Sequence, residues 1–314
     1  MSGPAPGFRC SAASLDEGEP QEGTASTVRA FLVVECPGPW GVDAVRDSRL
    51  PEPVKELLEG LEEHNRVRPL LARRPGRQLA GPVSVFAAHV HSERPWLESV
   101  ELDTVDELLD HDLSLLGDGR SLGWQRRTDP VFLACTHGRH DACCAERGRP
   151  LCAALARAAP RETWEVSHIG GDRFSANVLV LPHGLYYGRL QTEDAPGFAA
   201  AHLDGRLDLA HLRGRSSYPF SVQAAEVHLR RRLREDRIAP FPLVAHERRG
   251  TETTAVFDVD GEGWEVRVHT ELGDKRQLTC RARALSVGPA HELVAITSLG
   301  APARPTPAAD PRPR

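Results

Sequence analysis

Apolar residues fall into short runs separated by polar, Gly- and Pro-rich stretches. Ala30-Phe31-Leu32-Val33-Val34 is continuously apolar, the pattern of a buried strand, and Cys36-Pro37-Gly38-Pro39-Trp40-Gly41 ends it as a turn. Val54, Leu57, Leu58 and Leu61 recur at helical spacing, which predicts a helix over 53–61. Strands are predicted at 68–72 and 83–90 and a helix at 105–115. The pattern then begins again. Val131-Phe132-Leu133-Ala134 is an apolar run ending at Cys135, 136–141 is a polar loop, and 144–159 is an Ala/Leu-rich helix. A strand at 164–166 stops at His168, and a hairpin of 177–181 and 185–190 turns over Pro182-His183-Gly184. Helices follow at 197–203 and 219–234.

From residue 243 the period changes to two. Strands are predicted at 243–247, 253–258, 264–269, 278–284 and 293–297, with turns at Asp260-Gly261-Glu262-Gly263 and Gly273-Asp274. The alternation Trp264-Glu265-Val266-Arg267-Val268-His269 gives this small antiparallel β subdomain one packed and one wet face. The two segments before it share one order: strand, Cys-bearing loop, helix, further strands. Their identity is slight, but the order reads as an internal duplication within an α/β layer architecture.

A chain of 314 residues suits about two domains plus extras. Hydrophobic residues are 40% and charged residues 26%, the profile of a soluble globular protein. The formal net charge of -5 argues against a nucleic-acid surface. No apolar run is long enough for a membrane helix, and no Gly-x-Gly-x-x-Gly or P-loop marks a nucleotide site. Met1 to Gly23 lacks the basic start and apolar stretch of a secretory signal. Residues 1–26 and 301–314 read as disordered tails. Between them the expected units are 27–125, 126–237 and the β subdomain 238–300, in a cytoplasmic protein.

Seven cysteines in a chain this long argue against a secreted disulfide scaffold, and four of them crowd between positions 135 and 152. The densest constellation is Cys135-Thr136-His137-Gly138-Arg139-His140-Asp141-Ala142-Cys143-Cys144. Cys135 ends a strand. Cys144 opens a helix, whose positive end favours the thiolate that iron and zinc require. The spacing, Cys-x8-Cys or Cys-x7-Cys, offers two sulfurs, half the ligands of a 2Fe-2S cluster. In His168-Ile169-Gly170-Gly171-Asp172, two glycines permit a tight turn that could aim both flanking side chains at one group. The other cysteines read as structural. Cys143 packs under the helix start, Cys152 lies in the core, Cys36 ends a strand, and Cys10 and Cys280 have no partner. His137 and His140 read as loop residues near the site, and His183 as an exposed hairpin tip.

The Cys135–Cys144 stretch resembles the cysteine loop of the sucrase/ferredoxin-like family. Ser167-His168-Ile169-Gly170-Gly171-Asp172-Arg173-Phe174-Ser175-Ala176-Asn177, running on to Gly188, resembles its second signature. The likeness is sharp over 129–190. It implies a thioredoxin-like ferredoxin domain carrying a 2Fe-2S cluster on two cysteines and two histidines; with the duplication and the strand pattern, the expected α/β fold is two thioredoxin-like domains in tandem followed by the β subdomain, the second domain carrying the cluster. By motif position Cys135 and Cys144 would be the sulfur ligands and His168 the first nitrogen ligand. Asp172 stands where the two-histidine form places the second. A carboxylate is a harder ligand than imidazole. Three arrangements therefore stay open: Asp172 ligates, or His137, His140 or His183 takes its place, or no cluster binds. The function implied is electron transfer with a protein redox partner, without nucleic acid or membrane. A metal-free thiol redox protein and a zinc-bound or metal-free binding scaffold are the alternatives. Glycoside hydrolysis is not supported, because no carboxylate pair is marked out for it.

Overall fold

A computed structural model describes residues 7–76, 81–238 and 241–300; of the tails expected at 1–26 and 301–314, residues 1–6 and 301–314 lie outside the described residues. From residue 7 the expected N-terminal tail is an ordered strap. It opens with the short helix α1 (Cys10–Asp16), and Cys10, Ser14, Glu19, Gln21 and Ala25 along it are buried. Its polar composition concealed how it is held. Arg173 Nε pairs with Glu19 at 2.8 Å, Arg189 donates to the Glu19 carbonyl, and Gln223 exchanges two hydrogen bonds with the backbone of Ala25.

The first half contains β1 (Ala30–Glu35), α2 (Glu52–Asn65), β2 (Val67–Arg73), β3 (Val83–His89), β4 (Trp96–Leu102) and the short β5 (Gln125–Arg126). The second contains β6 (Val131–Cys135), α3 (Ala142–Ala158), β7 (Thr163–Val166), β8 (Val178–Leu181), β9 (Leu185–Tyr187), α4 (Ala195–Leu203), β10 (Leu212–Arg215) and α5 (Phe220–Leu233). The chain ends in β11 (Leu243–Arg249), β12 (Glu252–Val259), β13 (Glu262–Leu272) and β14 (Pro289–Gly300).

One strand order recurs in the two segments. β1 and β2 are parallel across α2, β3 joins the other side of β1 antiparallel, and β4 pairs with β3, giving the order β2-β1-β3-β4. The second half repeats this as β7-β6-β8-β9, with α3 in the crossover. The halves do not keep separate sheets. Their corresponding strands β2 and β7 pair antiparallel, Ala72 with Val166 and Arg73 with Glu165, and fuse both copies into one ten-stranded sheet. The boundary expected between 125 and 126 therefore divides elements of a single sheet. Strand ends align in a row across the junction: Glu35 with Ala72, Ala72 with Val166, Val166 with Cys135.

β6 is buried on both faces, which is why it reads as an unbroken apolar run. Phe132 and Ala134 face a core with Leu151, Cys152 and Leu155 of α3, while Val131, Leu133 and Cys135 face another with Trp164, Val166 and Cys144. The four C-terminal strands form an antiparallel sheet in order β11-β12-β13-β14. Its inward residues Ala255, Phe257, Val266 and Val268 pack on Val222, Ala225 and Leu229 of α5, as the alternation predicts. Residues 278–284, expected as a strand, instead belong to the irregular connection from β13 to β14, which crosses to the strap; Arg276 there pairs with Glu17. The helix expected at 105–115 is two short 3-10 turns, Val105–Asp110 and Leu113–Leu116, the second capped by Asp112. Among the described residues no helix is long and apolar enough to cross a membrane.

One histidine beside Phe132 in the core under α3 is expected to make the fold sensitive to acid. His202 of α4 is 3% exposed and packs on Phe198, Tyr187 and Phe132, with ring centroids 4.7, 5.1 and 5.9 Å away. Neither ring nitrogen has a hydrogen-bond partner among the described residues. Burial pulls its pKa down to about 3. Folded His202 thus stays neutral where the unfolded chain takes up a proton. Its contribution is complete above the unfolded pKa of about 6.5 and falls as the pH drops toward the folded value, by about 1.4 kcal/mol per unit. About 2 kcal/mol should be lost between pH 6.5 and 4.5 through this group. Urea melts across that range are expected to show a shallower loss for His202→Phe than for wild type; parallel curves would refute this role.

Candidate metal centre

Cys135 and Cys144 meet because strand, loop and helix are consecutive. β6 delivers Cys135 to its end, where Cys135 N donates to the Asn177 carbonyl. Asp141 caps α3 by accepting from Cys143 N at 2.9 Å, which sets Cys143 and Cys144 in the first turn. Gly148, one turn after Cys144, lets the helix lie against the Cys135 carbonyl, where an added Cβ would collide with backbone. Both cysteines are 1% exposed.

β7 then runs into the loop from Ser167 to Asp172. Four successive carbonyls of this loop accept hydrogen bonds from four separate segments. Arg68 donates to His168 O at 3.2 Å, Ser26 to Ile169 O at 3.1 Å, Arg213 to Gly170 O at 3.0 Å and Asn177 to Gly171 O at 2.8 Å. Gly170 and Gly171 have φ of +100° and +81°, a conformation that favours glycine. A side chain at 171 would also strike the Arg213 guanidinium.

The ligand atoms of Cys135, Cys144 and His168 all lie within 4.8 Å of one another, and so do those of His140, His168 and Asp172. Asp172 Oδ1 is 3.0 Å from His168 Nδ1 and accepts from Cys144 Sγ at 3.2 Å; its Oδ2 is 3.9 Å from His140 Nε2. The rings of His140 and His168 stack at 3.7 Å. The four residues expected from the sequence are thus together, and either group could hold a metal ion.

The three histidines left open by the sequence separate clearly. His137 has both nitrogens engaged: Nε2 donates to Gly41 O at 2.7 Å, and Nδ1 accepts from His168 N at 3.2 Å. No lone pair remains for a metal. His183 sits in the turn after β8, whose Leu181 pairs with Val131 at the opposite end of β6 from Cys135. It is half-buried rather than exposed, and burial with the charge of Arg215 lowers its pKa to about 3. His140 alone of the three reaches the site.

Charges at the site interlock. The neighbouring Cys144 thiol, against the effect of burial and together with His168, holds Cys135 well below an ordinary thiol, while the same contact and burial push Cys144 up. Burial pulls His168 down, but Asp172 and Cys135 outweigh it and lift its pKa to about 9. Burial would raise Asp172, yet His168 and Cys144 hold it below the usual carboxylate range. Arg213, 1% exposed, lies behind the loop and also donates to Asn177 Oδ1 and to Thr24. Burial and Arg173 lower its pKa to about 9. Sequence reasoning missed Arg213, since nothing in Leu212-Arg213-Gly214-Arg215 marks one arginine as buried beneath a loop more than forty positions upstream. The sulfurs sit on the dry side, whereas the side chains of His168 and His140 are 21% and 36% exposed.

Two cysteines read as partnerless correct that reading. Cys10 and Cys280 converge on Cys143, with Asp141 between them, as a second grouping of possible metal ligands. A family model described as sucrase/ferredoxin-like matches residues 21–214. No curated protein and no solved structure matches the chain.

Proposed function

The chain belongs to the sucrase/ferredoxin-like family, and from that premise we propose that it is a one-electron carrier holding a 2Fe-2S cluster on Cys135, Cys144, His168 and His140. The observation that carries this reading is the convergence of two buried sulfurs and His168 within 4.8 Å at a strand end and a helix start. The donor set suits the group. Cys135 is held well below an ordinary thiol, and the buried His168 Nδ1 has no properly aligned hydrogen-bond partner among the described residues. The order β7-β6-β8-β9 with its α3 crossover supports a thioredoxin-like reading of this half.

Bound here, such a cluster would supply reversible one-electron chemistry at an exposed imidazole edge. The protein's own groups do the rest. Asp172 faces both imidazoles and places a negative charge beside them. We assign it this place, rather than a ligand's, because imidazole is the softer donor. Arg213 opposes the negative charge of two thiolates and Asp172 from below the loop. His140 and His168 face solvent, so they can exchange protons there, and a protein redox partner would approach on that side.

Anaerobic purification with absorption spectra and iron and sulfide analysis tests the proposal. Equal iron and acid-labile sulfide in a coloured protein are expected, with both lost in Cys135→Ser and Cys144→Ser. His140→Ala is expected to lose the cluster and Asp172→Asn to retain it with an altered pH dependence of the reduction potential. The reverse pattern would make Asp172 the fourth ligand. A colourless chain that also resists reconstitution with iron and sulfide would overturn electron carriage.

A further inference from the structure

Three segments distant in the sequence bring a sulfur each to one point outside the site just described. Cys10 begins α1, Cys143 lies in the first turn of α3, and Cys280 lies in the connection between β13 and β14. Their Sγ atoms are 3.4 Å apart for Cys143 and Cys280, 3.5 Å for Cys10 and Cys280, and 3.7 Å for Cys10 and Cys143. Both Asp141 carboxylate oxygens are 3.8 Å from Cys10 Sγ. Zinc–sulfur bonds of about 2.3 Å in a tetrahedron set sulfurs about 3.8 Å apart, and a zinc–oxygen bond of about 2.0 Å sets that oxygen about 3.5 Å from each sulfur. The triangle of sulfurs capped by a carboxylate is close to that figure.

A second observation points the same way. Asp141 is completely buried, and no cationic side chain pairs with it among the described residues. Its oxygens accept instead from Cys143 N at 2.9 Å and Cys280 N at 2.7 Å. A buried carboxylate without a counter-charge is costly, and a cation seated among these four side chains would supply one. Cys10 N donates to Cys280 Sγ at 3.5 Å, an N–H to sulfur contact of the kind that stabilises a thiolate.

We propose that Cys10, Cys143, Cys280 and Asp141 form a closed tetrahedral site for a structural zinc ion that staples the N-terminal strap, the start of α3 and the β13–β14 connection together. On binding, three sulfur–metal bonds and one oxygen–metal bond form, and the three thiol protons pass to solvent, so uptake weakens as the pH falls. Four protein ligands leave no open position, which marks a structural rather than a catalytic ion. Cys143 and Cys144 are neighbours in one helical turn, yet Cys143 faces the strap and Cys144 faces Cys135. The ion would therefore fix the helix start from the side opposite the iron ligands.

Zinc analysis of the full chain, and cobalt substitution after chelation, test this independently of the iron reading. Wild type is expected to hold equimolar zinc, and its cobalt form to show the thiolate charge-transfer band and intense visible bands of tetrahedral coordination. Cys144→Ser, which removes a proposed iron ligand, should retain the zinc. Cys10→Ser and Cys280→Ser should lose it; Cys280 is only partly buried, and circular dichroism of that variant checks that the fold persists. Reduced wild type that takes up neither zinc nor cobalt would overturn the site. So would zinc that persists in a folded Cys280→Ser, or a disulfide among these cysteines found by thiol titration of the unreduced chain.

Discussion

Glu226→Ala is expected to lower folding stability by about 3–5 kcal/mol, the loss typical when one partner of a buried ion pair is removed. Glu226 lies 1% exposed on α5, and its Oε1 accepts from Arg230 Nε at 2.9 Å and from Arg215 Nη2 at 3.3 Å. Both arginines are as deeply buried as the acid. Arg230 also lies 3.9 Å over the Phe241 ring and donates to Arg237 O at 2.8 Å, so it cannot swing out to water without breaking those contacts. Alanine at 226 leaves two cations with no anion in a dry interior. Arg215 belongs to β10, and the opposite side of α5 packs on the C-terminal sheet, so the damage should spread to both layers. Equilibrium unfolding in urea measures the effect. Glu226→Gln, which keeps an acceptor, should be less severe, and a loss below about 1 kcal/mol for alanine would match an exposed pair and contradict the buried triad.

Gly148→Ala is expected to abolish the iron binding proposed above and to destabilise the fold by about 1–3 kcal/mol, the usual range for overpacking. Helix propensity alone predicts the opposite sign, since alanine in a helix interior is favoured over glycine by about 1 kcal/mol. The sign therefore tests the geometry. A methyl group at 148 would run into the carbonyl of Cys135. That carbonyl cannot yield easily, because β6 lies inside the sheet between β7 and β8. The helix must move instead, carrying Cys144 away from Cys135. A stabilised protein that bound iron as wild type does would show that α3 does not need this close approach.

Much of the site was legible because its parts are near in sequence and joined by one crossover. A strand followed by a helix and a parallel strand brings strand ends and helix start to the same edge, whatever lies elsewhere. Cys135 at the end of β6, Cys144 in the first turn of α3, and His168 with Asp172 just after β7 all belong to that unit. Apolar periodicity likewise gave β1, β6, α3, α5 and the inward face of β12, since each reports burial through its own neighbours.

Tertiary structure decided the rest, and always through residues distant in the chain. The strap looked disordered because local composition does not record Arg173, Arg189 and Gln223, which hold it. The pairing of β2 with β7 depends on which edges two folded halves leave open, and no single strand pattern carries that information. His137 and His140 are equivalent in the sequence, yet Gly41 and His168 occupy both nitrogens of the first and leave the second free to stack on His168. Cys10 and Cys280 stand 270 positions apart and meet at 3.5 Å. Sequence by itself determined the residues with local chemistry and the elements that carry them. The long-range contacts determined their partners, because burial periodicity reports that a side chain is covered and not by what.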